Sequence, residues 1–126
     1  MTTSATILLI GSLIVTSYRS VKNQTDNTPF YTSTGEHVSS SGVAISQDML
    51  CNTCLKLHKR CKHPNNDRLH YGDFILIEDI GIKRINDVMN KRYKKRFDVW
   101  VSSLKEEHEF WKRYKNIKLR VYRIKE

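Results

Sequence analysis

Polar, turn-rich stretches alternate along this chain with short apolar runs rich in β-branched and aromatic residues, the pattern of half-buried strands. The first run, Ala5 to Val15 (ATILLIGSLIV), falls short of the about 20 apolar residues a membrane-spanning helix needs. It also lacks a basic start and an Ala-x-Ala-like cleavage site. Ile14, Val15 and Thr16 running into Tyr18 predict instead a buried strand that begins inside the run. From Arg19 to Ser41 the chain is loop, with turns at Asn23 to Pro29 and at Gly35 and a short strand at Phe30 to Thr34. Val43 to Ile45 is a second apolar run. Tyr71 to Ile77 and Ile82 to Ile85 predict two strands about a turn at Glu78 to Gly81; Phe97 to Val101 is a third, and Lys118 to Ile124 the last.

Helical periodicity is scarce. The best helix starts at Ser103, where Ser103-x-x-Glu106 is a capping box, and runs through Phe110 and Trp111, an aromatic pair best explained by core packing. The expected architecture is mainly β with short helices. At 126 residues with 39% hydrophobic content the chain has room for one domain and one modest core. The formal charge is +9, and the stretch from Ile82 to Glu126, with 15 Lys and Arg against 6 Asp and Glu, carries the whole surplus. Such a balance suits an anionic partner, whether nucleic acid, a membrane surface or a cell-wall polymer; that the long basic side chains simply solubilise a helix and some strands is the plain alternative. Five Gly, two Pro and three Cys exclude a collagen-like chain, a flexible low-complexity chain and a dense disulfide scaffold.

Two carboxylates stand out. Asp87 closes one predicted strand and Asp98 lies in another, RFDVW, with the basic turn Asn90 to Arg96 between them. A hairpin-like return over that turn would bring both to one cleft. Val99, Trp100 and Val101 place Asp98 at the margin of an apolar core, where desolvation raises a carboxyl's pKa and suits it to donate a proton. A buried salt bridge to a neighbouring Arg is the structural alternative.

Val15-Thr16-Ser17-Tyr18, Gln24 to Pro29, Thr32 to Gly35, Val43 to Ile45 with Asp48, Gly72 to Ile75, Asn86-Asp87 and Arg96 to Trp100 follow one another in the order found in the three-aspartate ("3D") domain family. The chain resembles that family over nearly its whole length. The family is similar to the catalytic barrel of membrane-bound lytic transglycosylase A and includes stationary-phase muralytic enzymes and phage-encoded proteins. The resemblance implies a single domain over residues 1–126, a six-stranded double-psi β-barrel. It implies a peptidoglycan lytic transglycosylase, acting at the cell wall or periplasm. Such an enzyme cleaves the β-1,4 bond between N-acetylmuramic acid and N-acetylglucosamine without water and leaves a 1,6-anhydro sugar. The family's aspartates fall on Asp48, Asp87 and Asp98, with Asp98 the acid and then base, Asp87 orienting groups in the cleft and Asp48 structural. Asp26, Thr28 and Thr32 are implied substrate contacts, and Lys91 and Arg96 are placed to hold substrate carboxylates. Where the family often has a Gly-rich segment, this chain has Val88 to Tyr93, bulkier and more basic.

The segment Cys51 to Arg68 lies outside the family's usual pattern and reads as an insertion at 51–68. Cys51-x-x-Cys54 is a knuckle, Cys61 follows seven residues on and His63 two beyond, so a Cys3His structural zinc site is expected, with His58 and His70 as alternative fourth ligands. A surface loop with thiols, or one disulfide with an odd Cys, is the plain alternative. No cofactor is expected for catalysis. Two other functions compete: a catalytically silent wall-binding or phage-structural barrel, and a basic zinc-containing nucleic-acid-binding protein with Tyr93, Trp111 and Tyr114 to stack on bases. The aspartate set speaks against the latter, because a phosphate-binding surface gains nothing from carboxylates in its cleft.

Overall fold

The computed structural model describes residues 5–20, 30–59 and 68–125. Six strands, β1 (Thr6–Tyr18), β2 (Gly42–Ile45), β3 (Phe74–Ile77), β4 (Gly81–Val88), β5 (Arg96–Trp100) and β6 (Lys118–Lys125), close into a barrel in the order β1-β5-β2-β4-β3-β6. Two of the six pairings are parallel, β1 with β5 and β2 with β4. The long β1 serves two partners, running antiparallel to β6 over most of its length and parallel to β5 from Ile14 onward. Val43, Ile45, Ile75, Ile77, Ile85, Phe97 and Val121 fill the interior and are wholly buried. These β-branched and aromatic side chains pack well on a pleated surface, so the chemistry that makes the strands also makes the core.

Among the described residues two helices cover the barrel, α1 (Asn52–Leu57) and α2 (Leu104–Tyr114), with one 3-10 turn at Gln47–Met49. The predicted cap of α2 is present, since the Ser103 hydroxyl accepts from the Glu106 backbone N–H at 3.1 Å. The Glu106 carboxylate reaches back one residue further, to the N–H and hydroxyl of Ser102. The aromatic pair divides. Phe110 packs on the core beside Tyr114, with ring centroids 4.8 Å apart, while Trp111 is 57% exposed under the Lys115 ammonium. Consecutive helical residues point about 100° apart, so both could not face the barrel.

Two expectations need correction. Phe30 to Thr34 forms no strand. Among the described residues its only ladder contact is the isolated pair of Tyr31 with His37, and Thr32 instead starts a turn in which its N–H donates to the Glu36 carbonyl and Gly35, at φ 84°, closes back on Thr32. β4 and β5 do not form a hairpin either, because β2 lies between them. At the start of the segment 51–68, Cys51 and Cys54, with the preceding Leu50, belong to the main core, and Leu55 packs against it. Leu50 pairs with Leu69 across the intervening residues.

Bulges change the facing of two strands. In β1 the register with β6 slips between Leu9 and Gly11, so Ile7 and Leu9 face outward before it and Thr16 and Tyr18 after it. In β4, Ile85 pairs with Val43 but Asp87, not Asn86, pairs with Ala44. Without the extra residue Asp87 would point into the barrel. Gly42 makes room for this bulge: a Cβ there would lie 2.5 Å from the Asn86 side-chain amide nitrogen.

Candidate active site

A cavity of about 860 Å³ opens on the outer wall of the barrel, where β1, β5, β2 and β4 lie side by side. Its floor is one cross-strand row. Thr16 of β1 pairs with Asp98 of β5, Asp98 with Ala44 of β2, and Ala44 with Asp87 of β4. With strands about 4.8 Å apart, the two aspartate backbones stand about 10 Å apart and only the Ala44 methyl rises between them. Phe97 and Val99 point into the core, so the alternation of β5 turns Asp98 outward to the cavity. A small residue at 44 is what lets two carboxyl groups share the floor.

The two acids are held differently. Among the described residues Asp98 receives one hydrogen bond, from the Thr16 hydroxyl to its Oδ1 at 2.8 Å. Burial pushes its carboxyl up to about 7, the Thr16 hydrogen bond works against this, and the charges of Asp87 and Glu107 add to it. Four donors converge on Asp87: the Ser33 N–H at 2.9 Å, the Ser33 hydroxyl at 2.6 Å and the Val88 N–H at 2.9 Å on Oδ1, and the Tyr18 hydroxyl at 3.4 Å on Oδ2. Asp87 therefore anchors the 30–38 loop to β4. Burial, with the charges of Asp87 and Asp98, pushes the Tyr18 phenol far above its ordinary value, so Tyr18 acts as a neutral donor.

The rim is basic and aromatic. The Arg92 guanidinium lies 4.8 Å from the Tyr93 ring centroid and donates to the Tyr93 hydroxyl at 2.8 Å, and Arg96 sits 5.7 Å from the same ring. Tyr31 and His58 contribute to the lining elsewhere, His58 in the left-handed conformation that ends α1.

The sequence-predicted site is thus partly assembled. Asp87, Asp98 and Arg96 line the cavity. Asp48 does not; its carboxylate accepts the Lys95 N–H at 3.1 Å, supporting that residue's positive φ of 49°, and it lines a second cavity of about 590 Å³. Thr32 is buried within its turn, where its hydroxyl accepts the Glu36 N–H, and its neighbour Ser33 takes the place at the site. Lys91 is exposed and outside the cavity lining, where Arg92 stands instead. Asp26, Thr28, Cys61 and His63 lie outside the described residues. Tyr114 is buried and donates to Asp79 at 2.9 Å, which removes it from any base-stacking surface. Sequence reasoning missed Thr16, Tyr18, Ser33 and Arg92 as site residues, and singled out Tyr93 only as a base-stacking candidate; the two-residue spacing of Thr16 and Tyr18 on one strand face was the available signal.

Cys51 and Cys54, half of the expected zinc set, are both buried, Cys54 completely. Among the described residues no group of three or more His, Cys, Asp or Glu is arranged to hold a metal ion. Among them, too, no helix is long and apolar enough to cross a membrane. No family model matches the chain, and neither does any curated protein.

Proposed function

We propose that this cavity is the active site of a peptidoglycan lytic transglycosylase in a double-psi β-barrel. The observation that carries the reading is Asp98: a carboxyl facing a large open cavity and held by burial near neutral pH, hence able to give a proton and take one back. Asp98 protonates the glycosidic oxygen as the bond to the muramyl C1 breaks, and the sugar leaving through O4 takes that proton. The muramyl C6 hydroxyl then bonds to C1 and returns its proton to the Asp98 carboxylate. No water is consumed. One carboxyl suffices where most glycosidases use two, because the nucleophile belongs to the substrate and needs no second base to activate a water. Thr16 orients the acid. Asp87, fixed by Ser33, Val88 and Tyr18, is a positioning residue that shapes the floor and lifts the Asp98 pKa by its charge. Arg92 and Arg96 suit the lactyl and stem-peptide carboxylates of the glycan. The barrel's two parallel pairings, each joining strands distant in sequence, support the double-psi topology.

The same reading includes a structural zinc. Cys51, immediately before α1, and Cys54 in its first turn have the spacing of a knuckle and are withdrawn from solvent, and Cys61 and His63 would complete the set. The metal would pin the segment after α1 to the barrel and take no part in the chemistry.

Incubation of the purified protein with peptidoglycan sacculi, followed by mass spectrometry of the soluble muropeptides, tests the function. Anhydro-muropeptides are expected from the wild type and not from Asp98→Asn. Reducing-end products of ordinary hydrolysis, or equal release by both proteins, would show the mechanism to be wrong.

A further inference from the structure

We propose that the outer face of β1, β6, β3 and β4, on the flank away from the cavity, is a docking surface for an anionic lipid membrane. Two cross-strand rows define it. Ile7, Ile124, Phe74 and Arg84 lie in register in one, and Leu9, Tyr122, Leu76 and Ile82 in the other. Seven of these eight side chains are apolar or aromatic, on the side of the strands opposite the core residues Ile75, Ile77 and Val121. The outward positions of an antiparallel sheet that faces water are ordinarily polar. Here Ile7 is 54%, Leu9 59%, Phe74 46% and Ile82 60% exposed.

The size and charge of the patch choose its occupant. Three strand spacings of about 4.8 Å by one two-residue step of about 7 Å, with side-chain margins, give a footprint of about 300 Å². A stable protein pair buries about 800 Å² on each partner. A second copy would therefore have too little apolar area, and it would bring together two chains of formal charge +9. An anionic bilayer reverses the sign of that electrostatic contribution, and shallow insertion of a few side chains needs no large matched surface. The outward side of β6 continues from the patch as Arg120 and Lys118, and β4 supplies Arg84. Arg84 and Arg120 are paired with Glu36 and Glu78, so attraction falls to exposed Lys118 and to the chain's wider basic surplus. Tyr122 is of the residue type that settles at the level of lipid headgroups, and Phe74 is of a type that inserts with the apolar face.

The test is flotation of the full chain with vesicles of phosphatidylcholine containing about one third phosphatidylglycerol, against vesicles of phosphatidylcholine alone. The wild type should float with the anionic vesicles and far less with the neutral ones. Leu9→Ser with Ile82→Ser keeps the charge constant and should weaken partitioning about tenfold or more, with an unchanged circular dichroism spectrum. Ile82→Ser alone serves if the double variant does not fold, with a smaller loss in the same direction. The proposal is overturned if the wild type does not float with anionic vesicles, if it floats equally with neutral ones, or if the Ser variants float as well as the wild type. A dimer in sedimentation velocity that the Ser variants dissolve also overturns it, because a second copy then covers the face.

Discussion

Replacing Asp98 by Asn is expected to stabilise the protein above neutral pH while abolishing glycan cleavage. Burial first, then the charges of Asp87 and Glu107, hold the carboxyl near 7 against an ordinary value of 3.8, and the Thr16 hydrogen bond only partly offsets them. Below pH about 4 both the folded and the unfolded chain bind this proton, and Asp98 adds no pH dependence. Between about 4 and 7 the unfolded chain releases the proton while the folded chain keeps it, so folding loses about 1.4 kcal/mol per pH unit. Above about 7 both states are ionised and the deficit stays constant. The full difference in pKa corresponds to about 4 kcal/mol, and because water reaches the carboxyl through the cavity the expected deficit is about 2 to 4 kcal/mol. Asn keeps the shape and an oxygen that accepts from Thr16 but never carries the charge. Urea unfolding of both proteins from acid to alkaline pH should show stabilities that converge near pH 4, with the variant ahead by that amount near pH 8. Parallel curves, or a variant less stable than the wild type near pH 8, would refute the argument that Asp98 is held protonated by burial. Cleavage by the wild type should fall as pH rises through about 7, because the acid must begin protonated.

Gly42→Ala places a Cβ 2.5 Å from the Asn86 amide nitrogen and 2.7 Å from its oxygen, so it should displace the bulge that turns Asp87 outward. A cost of about 1–3 kcal/mol in urea unfolding, with reduced muropeptide release, is expected. Arg92→Gln with Arg96→Gln should raise KM on sacculi about tenfold with little change in kcat, and an unchanged KM in initial-rate measurements would remove these residues from substrate binding. Elemental analysis of the reduced protein should find about one zinc per chain, lost in Cys51→Ser with Cys54→Ser, and zinc in neither protein excludes the metal.

The strands were legible because the side chains that build them are the ones that fill the barrel: Val43 to Ile45 is a continuous apolar run, and Phe97 with Val99 and Leu119 with Val121 carry a two-residue period. Phe30 and Tyr31 gave the same signal falsely. Both are more than half exposed, and the local hydrogen bonds of Thr32, Thr34 and Gly35 outweigh aromatic strand propensity there. Helix α1 escaped notice because six residues, NTCLKL, are too few to show a helical period. Asp87 and Asp98 were recognisable as a pair, but the reason they meet was not. Sequence proximity suggested a hairpin, whereas the structure inserts β2 and brings them together across Ala44. Thr16 and Ser33 could not be found from composition, since a small hydroxyl residue becomes a partner for a carboxylate only through register.

Register is also what separates the two surfaces on which function is placed here. β1 and β4 each run from the apolar outer face to the cavity floor, and each carries one bulge on the way. On a regular β1, the outward set that starts at Ile7 and Leu9 would continue to Leu13 and Val15, exposing core residues and burying Thr16 and Tyr18. On a regular β4, the outward set through Ile82 and Arg84 would bring out Asn86 and Val88 and drive Asp87 into the core. The single inserted residue in each strand resolves the conflict, and the two insertions must act together, because Tyr18 from one strand donates to Asp87 from the other. Relaxing either bulge would strand a hydroxyl or a carboxylate in the apolar interior, where an unpartnered charge costs far more than a lost ladder hydrogen bond. The polar floor of the cavity and the packing of the barrel are therefore one constraint, and the bulges should resist substitution as strongly as the core does.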